Sequence, residues 1–256
     1  GLGYLAGVKL TSGAANTLVG DRARQSLTTG AYNTALGQNA LDADDVGFQS
    51  TAIGAMALYY QNIASADSTY NTAVGYQSGY YNVTGTGNTH IGWRAGFGVS
   101  GNSHSNNTMI GYQAGQAIST GSNNTFVGGL AGDGTDDGAA NAALGYGALS
   151  ANCGDDNTAV GSYALAACTG TKNTCVGQTA GFQVTSGSNL TALGADAART
   201  GSPGGAATTG SNAIYLGDEN VTAAYIQVDW TISSDERDKT DFVDLDLGLD
   251  FVKGLE

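Results

Sequence analysis

The sequence predicts an all-β protein built as a repeat β-solenoid. A short glycine-containing motif recurs at nearly constant spacing along residues 1–217. The segment before each of these glycines alternates with the period of two that is typical of a β-strand. Glycine occupies 41 of the 256 positions and proline only one, which disfavours helical repeats and indicates many tight turns.

The repeated motif is Asn-Thr-x-Φ-Gly-x-x-Ala, where Φ is Leu, Val or Ile; residues 33–40 and 157–164 show it in full. The motif glycines lie at positions 3, 20, 37, 54, 75, 92, 111, 128, 145, 161, 177, 194 and 217. Most are 16 or 17 residues apart. Each repeat therefore predicts one coil with two short strands and two turns, and about 13 coils at ~4.8 Å predict a rod roughly 60 Å long.

Both faces of the predicted strand are apolar. The motif threonine and the aliphatic residue share one face, and we expect the aliphatic residues to form a continuous dry core inside the coils. We also expect threonine and asparagine to form side-chain ladders. Only His90 is clearly polar among the residues between Thr and Φ. Since a strand that is apolar on both faces is covered on both, this stripe predicts contact with another chain and an oligomeric rod. A surface alanine stripe on a monomer is the alternative.

The polar turns contain aspartate clusters at 42–45, 133–137 and 155–156. Carboxylate oxygens in such clusters can bind calcium. The calcium-binding nonapeptide pattern of β-rolls is absent, however, so we expect solvated turns and no metal.

Aromatic residues follow the motif glycine in three consecutive coils, at Tyr76, Trp93 and Tyr112. At this spacing they predict a stacked ladder. Ordinary ladder packing is one interpretation, and an exposed platform for sugar rings is the other. The two histidines, His90 and His104, have no obvious partner in the sequence.

Residues 1–217 contain no nucleophile–histidine–acid set, phosphate loop or zinc pattern, so the sequence predicts no turnover enzyme and no cofactor. The three cysteines, Cys153, Cys168 and Cys175, lack metal-type spacing. We expect free thiols, and a disulfide between Cys153 and Cys168 stays open because these residues occupy similar offsets in neighbouring repeats.

The net charge of −13 argues against a nucleic-acid partner, because phosphate contacts need Lys and Arg. The sequence contains no run of about 18 apolar residues, so it predicts no membrane-spanning helix. Residues 218–256 hold 11 of the 22 acidic and 3 of the 9 basic groups. This shift predicts a boundary after residue 217, a β-rich connector over 218–232 and a distinct segment over 233–256. Since the chain opens inside a repeat, we expect a fragment of a longer protein.

The tandem Asn-Thr-Ala-Val-Gly-x-x-Ala-Gly units resemble the left-handed β-roll repeats of trimeric autotransporter adhesin heads. They are also similar to repeats of phage tail-fibre proteins. The resemblance covers residues 1–217 and implies a homotrimer. Adhesin repeats are usually shorter than 17 residues, so the cross-section of the coil can differ, and an intertwined triple β-helix stays open.

The C-terminal segment resembles the start of the self-cleaving intramolecular chaperone of phage tail spikes and tail fibres, of the endosialidase type. That family opens with Ser-Asp-x-Arg-x-Lys, and this chain reads S-D-E-R-D-K from Ser234 to Lys239. The resemblance implies that Ser234 is the nucleophile, Lys239 its base and Ser233–Ser234 the cleaved bond. The apolar residues from Phe242 onward fit helical and strand spacing alike, and from them we place a helix start near Leu249. The run from Leu247 resembles the family's helix entry, which favours the helix. A solvated acidic turn without chemistry is the alternative.

Together, these resemblances imply the structural shaft of a phage tail fibre, located on the virion or another extracellular surface. They imply maturation by the self-cleaving chaperone and contact with a glycan or protein receptor on the host. A bacterial trimeric surface adhesin with the same chaperone is the alternative. A glycan-degrading spike would need paired carboxylates in a groove, and the sequence shows no acidic pair that can be distinguished from the aspartates of the turns.

Overall fold

The computed structural model describes residues 1–225, and the predicted all-β solenoid is confirmed over them. These residues contain no helix, and their twelve strands form one parallel sheet in chain order. The first compact unit is Gly1–Val221. The predicted chaperone segment 233–256 and residues 226–232 of the predicted connector lie outside the described residues.

Each strand is three or four residues long and supplies one coil of the solenoid. The strands are β1 (Thr17–Val19), β2 (Thr34–Leu36), β3 (Thr51–Ile53), β4 (Thr72–Val74), β5 (Thr89–Ile91), β6 (Thr108–Ile110), β7 (Thr125–Val127), β8 (Ala142–Leu144), β9 (Thr158–Val160), β10 (Thr174–Val176), β11 (Leu190–Leu193) and β12 (Ala213–Leu216). They correspond to twelve of the thirteen motif copies. In the first copy, Leu2 forms an isolated parallel bridge to Val19.

Neighbouring strands pair in a constant register. In the β2–β3 pair, Thr34 lies opposite Thr51 and Ala35 lies opposite Ala52. Because the pairing is repeated from coil to coil, equivalent residues form continuous columns along the solenoid.

The prediction of a second strand in each coil is wrong. The residues after the motif glycine form consecutive turns, in which the second and fourth positions have positive φ; after Gly54 these are Met56 at 58° and Leu58 at 50°. Left-handed residues interrupt the extended geometry of a strand. The Met56 N–H still donates to the Gln38 carbonyl at 2.9 Å, and the Leu58 N–H to the Ser78 carbonyl at 2.9 Å. This arm therefore stacks by inter-coil hydrogen bonds without being a strand.

The assignment of the two strand faces was also wrong, because the structure inverts them. The residue between Thr and Φ points into the coil and forms the central column. Its members are Leu18, Ala35, Ala52, Ala73, His90, Met109, Phe126, Ala143, Ala159, Cys175, Ala192 and Tyr215. The aliphatic residue faces outwards, where Leu36 is 44% and Leu144 is 52% exposed.

The interior is narrow, which explains why the central column holds so many alanines. The alanine three residues after the motif glycine, such as Ala114 or Ala131, is fully buried and belongs to the opposite wall. Where the central residue is large, the opposite wall has glycine. A Cβ on Gly132 would lie 2.5 Å from the Phe126 ring, and a Cβ on Gly115 would lie 2.3 Å from the Met109 sulfur. The core is thus filled by matched large and small pairs.

In most coils an asparagine precedes the motif threonine, and these asparagines form a side-chain ladder, as the sequence predicted; the structure shows that this ladder is buried. Asn107 is fully buried, and its Oδ1 accepts the N–H of Asn124 at 2.9 Å. Its Nδ2 donates to the Gly121 carbonyl at 3.0 Å. Asn124 repeats both bonds one coil further along, to Asn141 and Gly138. The side chain therefore satisfies backbone groups of the next coil that would otherwise be buried without partners.

The motif glycines are required by contact between coils. Gly111 has a φ of +138°, which only glycine adopts readily. A Cβ at this position would lie 2.4 Å from the carbonyl oxygen of Gly128 in the next coil. Both the backbone conformation and the close stacking exclude a side chain here.

We expect Gly111→Ala to lower the free energy of unfolding by at least about 2 kcal/mol, because it adds backbone strain and a clash between coils. Urea unfolding followed by circular dichroism measures the change. Gly129→Ala is the control, since φ at Gly129 is not positive and its Cβ would meet the Tyr146 ring at 3.3 Å and the Tyr112 carbonyl oxygen at 3.9 Å. Equal stability of the two variants would contradict the explanation.

Candidate functional site

The predicted self-cleavage residues lie outside the described part of the chain. Ser233, Ser234 and Lys239 are therefore not positioned by the structure, and neither is the helix start expected near Leu249. Their assignment stays a prediction. The described residues offer two other kinds of candidate: an exposed aromatic ridge and several buried polar groups.

The ridge is formed by the two residues that follow each motif glycine. Trp93 and Tyr112 stack with ring centroids 5.0 Å apart and planes 9° from parallel, which confirms the predicted ladder for this pair. Tyr76 holds the same position one coil earlier and is 43% exposed. Further along, Tyr146 and Tyr163 meet edge to face at 5.4 Å. The ridge is therefore an aromatic surface that remains accessible to solvent.

Arg94 is the feature of the ridge that the sequence analysis missed. Its guanidinium lies 4.7 Å from the centre of the Trp93 ring and 4.8 Å from that of Phe97. Its Nε donates to Oε1 of Gln77 at 2.8 Å. Two cation–π contacts and one hydrogen bond hold the side chain in place. The signal available in the sequence was an arginine beside the ladder in a strongly acidic chain.

A second aromatic group is packed more closely on the turn arm. Tyr59, Tyr80 and Phe97 stack in one column at 5.3 and 5.2 Å. Tyr60 and Tyr81 stack beside them at 5.3 Å. Burial, followed by the neighbouring Tyr60, raises the pKa of Tyr80 to about 12. Because these rings cover one another, this group favours ladder packing over ligand binding.

One of the predicted solvated aspartates is in fact buried. Asp44 is fully buried and accepts a hydrogen bond from Arg24, also fully buried, at 3.1 Å. Ser50 stands here where the ladder would have asparagine. Gln61 bridges the gap, donating to Asp44 at 3.0 Å and to Ser50 at 2.8 Å. The Arg24 guanidinium also donates to the Gly47 carbonyl at 2.6 Å. A buried ion pair of this kind needs such extra hydrogen bonds to offset its desolvation.

The three cysteines are free and buried, so the disulfide left open by the sequence does not form in this structure. Burial is the main cause that raises the pKa of Cys153 to about 11 and that of Cys175 to about 12. The pKa of Cys168 is raised by burial too. These thiols are protonated at neutral pH and are poor nucleophiles.

The two histidines turn out to be neighbours in the core. His90 is fully buried and His104 nearly so, and their rings meet edge to face with centroids 5.1 Å apart. Nδ1 of His104 lies 3.3 Å from Nδ2 of Asn107. The other three ring nitrogens of the pair have no hydrogen-bond partner. Burial lowers the pKa of His90 well below its usual range, with His104 adding to the effect, and lowers that of His104 to about 4.

Comparison of the chain with protein-family models, with curated proteins and with solved structures gave no match. Over residues 1–225, no three His, Cys, Asp or Glu side chains lie together as a metal site would require. The same residues include no helix that could cross a membrane. The function must therefore be argued from this chain's own surfaces.

We expect the protein to lose stability as the pH falls from about 6.5 towards 4. Both histidines have lowered pKa values when folded, so the unfolded chain binds more protons in this range. The shift of His104 alone corresponds to about 3 kcal/mol. Urea unfolding at a series of pH values measures the loss.

The matched variant is His90→Met, because Met109 fills the same column in the next coil. We expect this variant to depend less on pH than the wild type. Asp42 and Asp133, whose pKa values are raised by burial, act in the opposite direction and are present in both proteins. Parallel pH profiles for the two proteins would show that the histidine pair is not responsible.

Proposed function

We propose that this chain is the shaft of a homotrimeric surface fibre, of the kind found in phage tail fibres, and that a self-cleaving C-terminal chaperone matures it. The repeat resemblance supports the fibre, and the S-D-E-R-D-K motif from Ser234 to Lys239 supports the chaperone. The observation that carries the shaft assignment is the outward-facing aliphatic column.

The aliphatic column is uniformly apolar although it faces outwards. Its members are Leu2, Val19, Leu36, Ile53, Val74, Ile91, Ile110, Val127, Leu144, Val160, Val176, Leu193 and Leu216. A column that faced only water would accept polar residues. The exposed position five residues before each glycine does so, with Tyr32, Asn106, Asp156 and Lys172 among its occupants. The constancy of the aliphatic column therefore supports its burial against a partner, which stabilises by about 25 cal/mol per Å².

The partner that fits this face is a second copy of the same chain. Twelve strands spaced ~4.8 Å apart give a strip nearly 60 Å long, and a width of ~15 Å gives roughly the 800 Å² per partner of a stable interface. The motif threonines lie on the same face, and none of the outward strand positions is charged. Two copies with a net charge of −13 can thus approach along this strip without like-charge contacts.

Three copies related by a threefold axis would cover the strip of each one in a closed arrangement. This moves the oligomer contact from the central column, where the sequence analysis expected it, to the aliphatic column. The remaining outer surface, including the aromatic ridge, would stay available for the host receptor.

We expect the double variant Ile91→Lys/Leu144→Lys to dissociate the oligomer, because it places buried charges in the contact. Analytical ultracentrifugation of the full chain measures the mass, and circular dichroism checks the fold. The control is Asn106→Lys/Asn123→Lys, which adds the same charge at exposed positions with φ of 59°. Lys172 already occupies the equivalent position with φ of 60°. A variant that keeps the wild-type oligomeric mass would exclude this interface.

We expect the chain to be cut between Ser233 and Ser234 when it is expressed with any coding sequence that follows Glu256. Ser234→Ala should abolish the cut, since it removes the proposed nucleophile, and Ser233→Ala should keep it. Intact-protein mass spectrometry reads out all three proteins. Equal cleavage of the wild type and Ser234→Ala would contradict the assignment.

A further inference from the structure

Arg94 is the only charged residue in a long stretch of the aromatic ridge. From Gln38 to Thr179, the positions one and two residues after the motif glycines hold aromatic, amide, small or aliphatic residues apart from this arginine. The chain as a whole carries a net charge of −13. At these positions a single fixed cation stands among uncharged residues, and it is distinct from the acidic rest of the chain, which includes Asp133 close to Tyr146.

The guanidinium of Arg94 keeps its binding edge free. Its Nε is bonded to Gln77, but within residues 1–225 neither terminal nitrogen donates to another group, and neither is buried. The ion pairs found in this part of the chain involve Arg24 and Arg199, not Arg94. The contacts with Trp93 and Phe97 fix the plane of the guanidinium. A planar, immobilised fork with both ends free is suited to a carboxylate.

A free aromatic face, that of Tyr112, is connected to this fork through the Trp93 ring. Trp93 is 4.7 Å from the guanidinium, and Tyr112 stacks on Trp93 at 5.0 Å. In the following coil the ladder position is Gly129, which has no side chain to cover Tyr112. Tyr112 is accordingly 54% exposed. The next ring, Tyr146, bounds the gap from the far side, 3.3 Å from where a Cβ of Gly129 would lie.

Amide side chains flank this surface. Gln77 contacts Arg94, and Gln113 follows Tyr112 directly along the chain. Amides both donate and accept hydrogen bonds, as sugar hydroxyls require. An aromatic face, amides and one fixed cation, arranged along one ridge, match an extended chain of linked sugar rings that carries carboxylates.

We infer that the ridge segment formed by Arg94, Trp93, Tyr112 and Gly129 binds an acidic oligosaccharide. A sugar carboxylate pairs with the Arg94 fork, and another ring of the same oligosaccharide packs on the free face of Tyr112 in the gap at Gly129. The site rests on the proposed function, since it supplies the chemistry by which the shaft would contact a glycan receptor.

The test is calorimetric titration of the full chain with trigalacturonate and with sialyllactose. Maltotriose supplies the rings without the charge, and acetate supplies the carboxylate without the rings. We expect saturable binding of at least one acidic trisaccharide, with a dissociation constant of about 1 mM or below, and no comparable binding of maltotriose or acetate.

Two variants examine the two halves of the site. Arg94→Lys keeps the charge but removes the fork, and we expect binding to weaken about tenfold. Arg22→Lys is its control, at the same position of an earlier coil, and should bind as the wild type does. Gly129→Tyr should also weaken binding about tenfold by filling the gap. Tyr112 and Tyr146 occupy the equivalent position in the adjacent coils, so this variant should fold normally, as circular dichroism can verify.

Binding of neither acidic trisaccharide would overturn the inference, and so would equal binding of maltotriose or acetate. Wild-type affinity in both Arg94→Lys and Gly129→Tyr would do the same. None of these results bears on the oligomer or on cleavage at Ser233–Ser234. Conversely, the chain could prove to be monomeric and uncut and still bind the oligosaccharide through Arg94. That result would support the glycan site and contradict the proposed fibre shaft.

Discussion

The structure depends on stacking of the backbone of each coil directly on the next, at the motif glycines. At these positions the backbones approach so closely that a Cβ on Gly111 would reach the carbonyl of Gly128. The contact fixes the register, and the register forces equivalent side chains into columns. A short motif thereby determines a long object, because each coil contacts only its neighbours and must reproduce the same geometry.

Columns also make deviations costly, and the interior shows how the chain compensates for them. Where the asparagine ladder is interrupted at Ser50, Gln61 and the Arg24–Asp44 pair supply the missing hydrogen bonds. Where histidine enters the central column at His90, its ring packs against His104; burial lowers the pKa of His90, and His104 adds to the effect. At the first deviation the ion pair keeps hydrogen bonds from Arg24 and Gln61, whereas three of the four histidine ring nitrogens have none. The histidine pair is therefore the acid-sensitive part of the core.

The two outward-facing columns differ from each other in how much their residues vary from coil to coil. The aliphatic column hardly varies, which suits repeated contact with identical copies of the chain. The ridge after the glycines varies from coil to coil, and its aromatic residues, Arg94 and Gly129 occur together only once. A repeated contact supports assembly, whereas a local combination supports recognition. The proposed shaft and the inferred glycan site thus use different faces of the same coil.

The sequence alone determined the solenoid, its period and its asparagine ladder, because stacking makes each of these visible as repetition. It could not determine which strand face turns inwards, since Ala35 and Leu36 are both apolar and period two treats the faces alike. Only the tertiary structure decided this, through the curl of the turn arm over the central column. It also brought together groups without any repeat signal: His90 with His104, Arg24 with Asp44, and Arg94 with its two rings. Such pairs form between different positions of neighbouring coils. Which positions meet depends on the path of the backbone around the coil, and a repeat pattern in the sequence does not show that path.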